Sequence, residues 1–170
     1  MEQIDVDEID LQLLDQLQRD ASLSNLELAE RVHTSPPTCL RRVKRLREAG
    51  LSERQIAVLS QDKLAPVLGH GLCAIVQIVL DRQGIEWLDA FEQRVAQDRA
   101  VQQCYRVSPG PDFVLVVQTL DMPGYQELAQ RLFTSDANVR NVKAFFSLKR
   151  SKFGAELPMR RGPAPAAASG

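Results

Sequence analysis

The residues best equipped for chemistry are a run of cations, Arg41, Arg42, Lys44, Arg45 and Arg47, preceded by Ser35-Pro36-Pro37-Thr38. A guanidinium carries five donors in a rigid fork that matches phosphate oxygens and the edge of guanine. Projected at 100° per residue, Thr38, Arg41, Arg42 and Arg45 fall on one side of a helix. Cys39, Leu40, Val43 and Leu46 fall on the other. A helix about 10–12 Å across fits the major groove of B-DNA, where each base pair presents its own donor and acceptor pattern. This spacing predicts base contacts from Thr38, Arg41 and Arg42, with Arg45 on a base or a phosphate. Lys44 and Arg47 suit flanking phosphates, and amides near Ser35 and Pro36 suit a phosphate at the helix start. The plainer alternative is a solvated cationic face.

Net charge is −1 over 170 residues, which at first argues against a nucleic-acid partner. The distribution answers that objection. Met1 to Glu30 holds nine acidic residues and one basic residue, whereas Arg31 to Arg54 holds seven basic residues and two acidic ones. A local patch governs phosphate attraction, because charge is screened within about 10 Å at moderate salt. Cys39, Cys73 and Cys104 are odd in number, far apart and set among apolar neighbours, so they predict reduced core thiols and neither a disulfide framework nor a metal site. His33 reads as a turn residue with a phosphate contact as the alternative, His70 has no partner at metal spacing, and Trp87 sits at helical spacing with Leu88 and Phe91 as a core or interface residue. No catalytic constellation or cofactor motif is found. The longest apolar run, Leu72 to Leu80, is too short to cross a bilayer, and the acidic N-terminus is unlike an export or transit signal. A cytoplasmic protein with no membrane partner is expected.

Stepping along the chain gives the elements that must hold the cationic face. Ile9, Leu13, Leu14 and Leu17 predict an amphipathic helix over Asp7 to Arg19. Ser24 with Glu27 forms a capping box that opens a second helix, which stops near His33-Thr34. Ser35 and the two prolines open a third, closed by Gly50. Three short helices, a tight turn and a basic third helix make a helix-turn-helix. From Leu51 to Leu68 the period is weak: Ile56 to Leu59 reads as a short strand and Leu64-Ala65-Pro66 as a linker. Beyond it come a strand (Leu72–Leu80), a helix (84–97), two strands (Val101–Val107 and Phe113–Leu120), a helix (123–133) and a last strand (Val139–Leu148). That order is βαββαβ, the ferredoxin-like motif. The fold class expected is α+β, with a winged helix-turn-helix at residues 1–53, a linker or hinge strand at 54–70, a ferredoxin-like domain at 71–153 and a tail at 154–170. Pro158 to Gly170 lacks the apolar residues to order itself and is expected to be mobile.

Residues Val6 to Gly50 closely resemble the DNA-binding half of the Lrp/AsnC regulators (leucine-responsive and asparagine-responsive). Asp10 with Leu14, Ser24-Asn25-x-Glu27-Leu28-Ala29, and Ser35-Pro36-x-x-Cys39-Leu40-x-Arg42-Val43-x-x-Leu46 carry the resemblance. It continues through about Phe153, since the βαββαβ order is similar to that family's effector (RAM) domain. The resemblance implies a regulator of transcription on double-stranded DNA. It also implies a homodimer formed by packed sheets, larger assemblies up to tetramers or octamers, and a small-molecule effector, usually an amino acid, bound between dimers. Carried over by position, the effector residues are Gly110, Pro111 and Asp112 in the loop, Asp121, Met122 and Tyr125 at the second helix, and Phe145 and Ser147 on the last strand. The chain departs from the family where Pro109-Gly110-Pro111-Asp112-Phe113 replaces a glycine- and aspartate-rich loop. Those two prolines remove two amides that could hold a ligand carboxylate. His33 stands where a turn glycine is usual, Ser52 where isoleucine is, and Arg54-Gln55 where Gly-Tyr is common. Two other readings compete: an enzyme similar to the sirohaem decarboxylases, disfavoured by apolar, histidine-poor strands, and an effector-independent architectural DNA binder.

Overall fold

A computed structural model describes residues 5–159. The chain forms two compact units, one from its N-terminal part to Val58 together with the segment from Lys152, the other Leu59–Ser151. The first unit holds helices α1 (Glu8–Arg19), α2 (Asn25–Arg31) and α3 (Pro36–Glu48). Asp7 and Ser24 cap α1 and α2, each in a reciprocal capping box, with Asp10 and Glu27 returning the bond. Two orphan amides are thereby satisfied at each helix start.

The C-terminal ends of α2 and α3 close by the same device. Thr34 N–H donates to Ala29 O and His33 N–H to Glu30 O, at 2.9 and 3.2 Å. Leu51 N–H donates to Leu46 O and Gly50 N–H to Arg47 O, at 3.1 and 2.9 Å. This is the Schellman arrangement, which needs a left-handed residue at its centre. Gly50 (φ 72°) fills that position without strain, whereas His33 (φ 53°) does so with a Cβ. His33→Gly is expected to raise the thermal stability of this unit by about 0.5–1 kcal/mol, and His33→Val to lower it by at least as much. Thermal unfolding of the two variants checks the sign.

Leu13, Leu28, Ala29, Val32, Cys39, Val43 and Leu46 form the core of this unit. Each fully buried Leu or Val stabilises by about 1.5–3 kcal/mol. Leu40 does not join them. It is 60% exposed, because only the narrow arc Cys39-Val43-Leu46 of α3 faces α1 and α2. The C-terminal segment lies on α1: Gln18 Nε2 donates to Leu157 O at 2.9 Å and Leu157 N–H donates to Gln18 Oε1 at 2.8 Å. Pro158 and Met159 continue this segment, and the part of the expected mobile tail at 160–170 lies outside the described residues.

The second unit opens with α4 (Gln61–Leu68), capped by Ser60 and closed by Gly69. Leu64-Ala65-Pro66, read as a linker, is inside this helix, which the Ser60 hydroxyl starts by accepting from Lys63 N–H. No strand forms at Ile56 to Leu59 among the described residues; that segment has no regular secondary structure and is exposed. Next come β1 (Leu72–Leu80), α5 (Ile85–Ala96), β2 (Val101–Arg106), β3 (Phe113–Thr119), α6 (Met122–Ala129, running on as a π-helical turn Gln130–Thr134) and β4 (Val139–Phe146). The four strands form one antiparallel sheet in the order β2-β3-β1-β4.

Alternation on β1 buries Ala74, Val76, Ile78 and Leu80 against the helices, with Phe91, Val95, Phe113, Leu115, Val117, Leu128 and Phe133. The opposite face of the sheet is the more exposed one along β1 and β3. Its registers align Ile75 with Val116 on one side and Phe145 on the other. Ile75 and Phe145 are 43% and 44% exposed, an apolar surface at the centre of a sheet. This fold is what the βαββαβ order implies.

Candidate nucleic-acid interface and effector-domain residues

The start of α3 is built from side-chain bonds. Ser35 is its N-cap but makes no cap bond to the backbone. Its hydroxyl instead donates to Thr38 Oγ1 at 2.9 Å, while Asn25 Nδ2 donates to Pro36 O at 2.8 Å and ties α2 to the start of α3. Sequence reasoning missed Asn25, whose position one residue after the capping serine made it look like an ordinary first-turn residue.

Along α3 the expected cations separate into two groups. Arg41 and Arg47 are exposed and have no acidic partner among the described residues. Lys44 is exposed and lies 3.8 Å from Glu48, a solvated i,i+4 pair. Arg42 and Arg45 are held. Arg42 Nη1 donates to Asp7 Oδ2 at 2.7 Å and to Asp10 Oδ1 at 2.9 Å, and Arg45 Nη2 donates to Asp10 Oδ2. Asp10 is fully buried, and the Arg42 side chain is only 21% exposed. The helical projection explains Arg42: it lies about 40° from Leu46, at the edge of the buried arc rather than in the middle of the solvent face. Its role therefore differs from that of Arg41, with its guanidinium directed toward α1.

Asp7 sits at the rim. The amide of Asp10 and the Arg42 guanidinium hold its carboxyl below the ordinary carboxylate range. Arg42 is correspondingly pushed up by Asp7 and then by Asp10. Asp7, Arg41, Arg42 and Arg45 line a hollow of about 220 Å³ beside α3. Neither aspartate was expected at this face. Their signal was present, since Asp7 and Asp10 bracket the first turn of α1, but partnering across 32 and 35 residues is set by packing alone.

The second unit places the carried-over effector residues at two ends of the sheet. Asp112 closes the C-terminal end of β1. Its carboxylate accepts from Leu80 N–H at 2.7 Å, its own N–H donates to Ile78 O at 2.9 Å, and its carbonyl accepts from Val107 N–H at 3.1 Å. Gly110 (φ 127°) and Pro111 lie in the preceding turn, where the Ser108–Pro109 bond is cis. Asp121 lies at the other end, where it caps α6 through Gly124 N–H at 2.9 Å. Met122 is the exposed first residue of that helix. Ser147 extends β4 by donating its N–H to Cys73 O at 2.8 Å. Tyr125 is buried and packs edge-on against Phe146 at 5.1 Å between ring centres. Phe145 lies on the opposite, open face, with Lys143 over its ring. The seven-residue β1–β3 register between Leu72 and Ile78 separates the two ends by about 20 Å. One chain does not gather all eight residues into one pocket.

Among the described residues no cluster of His, Cys, Asp and Glu could hold a metal ion, the three cysteines are free, and no helix is long and apolar enough to cross a membrane. A three-helix unit with an exposed cationic α3, followed by a four-stranded antiparallel sheet covered by helices on one face, defines a helix-turn-helix unit joined to an α+β unit.

The sequence model described as the AsnC-type helix-turn-helix domain matches residues 6–47, and that of the Lrp/AsnC ligand binding domain matches residues 73–157. The leucine-responsive regulatory protein of Rhizobium meliloti is 34% identical over 149 residues, covering 88% of this chain and 93% of that protein. The DNA-binding transcriptional activator DecR of Escherichia coli is 32% identical, covering 91% of this chain and 99% of that one. Among solved structures, a transcriptional regulator of Neisseria meningitidis in complex with L-Met superposes with a TM-score of 0.77 at 30% identity, over 91% of this chain and 97% of that chain. The chain belongs to the Lrp/AsnC family of transcriptional regulators.

Proposed function

We propose that this chain is a non-enzymatic regulator that binds specific double-stranded DNA as a homodimer in the cytoplasm, and that an amino acid modulates its assembly or affinity. The observation that carries the DNA reading is α3 itself: among the described residues Arg41 projects without an acidic partner on the same side as Thr38, Arg47 is likewise exposed near the helix end, and the buried arc of the helix is fixed in the core. Thr38 and Arg41 are the base-reading candidates. Lys44, Arg47 and Arg45 suit phosphates, as do the amides near Ser35 and Pro36. Arg42 acts mainly by bracing α3 against α1. Arg41→Ala is expected to weaken a specific duplex by about 1–3 kcal/mol while changing random duplexes less, and Arg47→Ala to weaken both alike. Equal loss on both duplexes for Arg41→Ala would place it on phosphate instead.

The apolar sheet face around Ile75, Val116 and Phe145 supports pairing with a second copy, because a monomer gains nothing by exposing it. The two separated ends of the sheet support an effector site shared between protomers. Gly110, Pro111 and Asp112 from one protomer would be completed by Asp121, Met122, Tyr125 or Ser147 from another, with Phe145 on the pairing face. The L-Met complex of the Neisseria relative supports an amino-acid ligand. A thermal-shift series with the twenty amino acids tests this part. Stabilisation by one or a few of them identifies the effector, and no shift with any of them favours a regulator that works without one.

A further inference from the structure

Asp7 and the cationic face of α3 together carry one inference beyond the family's general function, and it rests on α3 being the DNA-facing helix. Arg42 holds two carboxylates. Asp10 is fully buried and cannot leave without stranding charge, so it is the fixed partner. Asp7 is different: its side chain is 49% exposed, it lies 2.7 Å from Arg42 Nη1, and it borders the hollow shared with Arg41 and Arg45. A carboxylate in this place offers a guanidinium the same paired oxygens as a phosphate diester.

We propose that Asp7 is a built-in competitor for DNA phosphate: in the free protein it occupies the outward side of Arg42, and a backbone phosphate entering the hollow displaces it. Arg42 is thereby kept from contributing a full counterion release, and Asp7 lowers affinity for all duplexes without altering which sequence is preferred. The first turn of α1 thus sets the strength of binding, while α3 sets its specificity. Asp7 is a positioning and tuning residue; it is not itself a DNA contact.

The test is a salt series between about 50 and 200 mM on the full-length protein with a mixed-sequence duplex, comparing Asp7→Asn and Asp7→Ser. Asn and Ser are both good helix caps, so α1 keeps its start, and thermal unfolding confirms that each variant is folded. Both variants are expected to bind about 3- to 10-fold tighter at about 100 mM salt, with a log–log salt slope steeper by about one counterion. In an Arg42→Gln background the gain is expected to vanish, as a coupled pair requires. Unchanged or weaker binding by both folded variants would overturn the proposal. So would a gain that persists without Arg42, since Asp7 would then act only as a distant charge. Arg47→Ala serves as the control on the underlying reading, since its loss is expected on any duplex: if it leaves binding intact, α3 is not the DNA-facing helix, an outcome distinguishable from a failure of Asp7 alone.

Discussion

Asp10→Ala is expected to destabilise the helix-turn-helix unit by about 2–4 kcal/mol and to abolish tight DNA binding with it. Removing one member of a buried pair typically costs about 3–5 kcal/mol, because the surviving charge is left without compensation. The lower range applies here since Arg45 is 45% exposed and can turn to water, while Arg42 retains Asp7. Arg42 is worse placed, because its Nε is already buried without a hydrogen-bond partner among the described residues. Asp10→Asn keeps the size and an acceptor, so it is expected to cost about half as much. Denaturant unfolding followed by helical circular dichroism measures both, and a loss below about 1 kcal/mol for Asp10→Ala would mean that the cluster is not structural. Acidification acts in the same direction. Asp7, Asp20 and Glu27 all have carboxyls held below their ordinary values by local hydrogen bonds, so their contribution is full above the carboxylate range and is lost as pH falls through it.

Ile75→Lys is expected to convert the proposed sheet-to-sheet dimer to monomers. Ile75 lies on the central strand β1, flanked across the open face by Val116 and Phe145. In a monomer the lysine ammonium reaches water from this half-exposed position, so the fold tolerates it. In a sheet-to-sheet dimer it is driven against the partner's apolar face, at a cost on the order of 3–4 kcal/mol, or about 10²–10³-fold in dissociation constant. Sedimentation velocity over a dilution series reads the change directly. Operator affinity should fall more steeply still, since two linked recognition helices bind far better than one. A variant that stays dimeric at the same concentrations would exclude this face as the interface.

The type and order of the elements were legible in the chain because they depend on local signals. Capping residues at Ser24 and Ser35, Gly50 after α3 and strict alternation in β1 each act within one or two turns. Weak periodicity was also informative in its way, but it misled between Leu51 and Leu68. There a serine cap at Ser60 starts a helix that runs through Pro66, where propensity suggested a linker.

The candidate sites divide along the same line. Composition and spacing by themselves determined that α3 carries a cationic stripe and that the second half is a βαββαβ domain, since both follow from side-chain types at fixed periods. Which arginine is free to meet DNA was decided only by tertiary structure. Arg41 and Arg42 are adjacent in sequence and alike in chemistry, yet packing of α1 against α3 brings Asp7 and Asp10 to one and leaves the other in solvent. The same holds for Asp112, a turn residue by sequence whose carboxylate is committed to the backbone of β1. Long-range ion pairs and sheet registers have no local code, because they arise from surfaces that meet only after each helix and strand has buried its own apolar face.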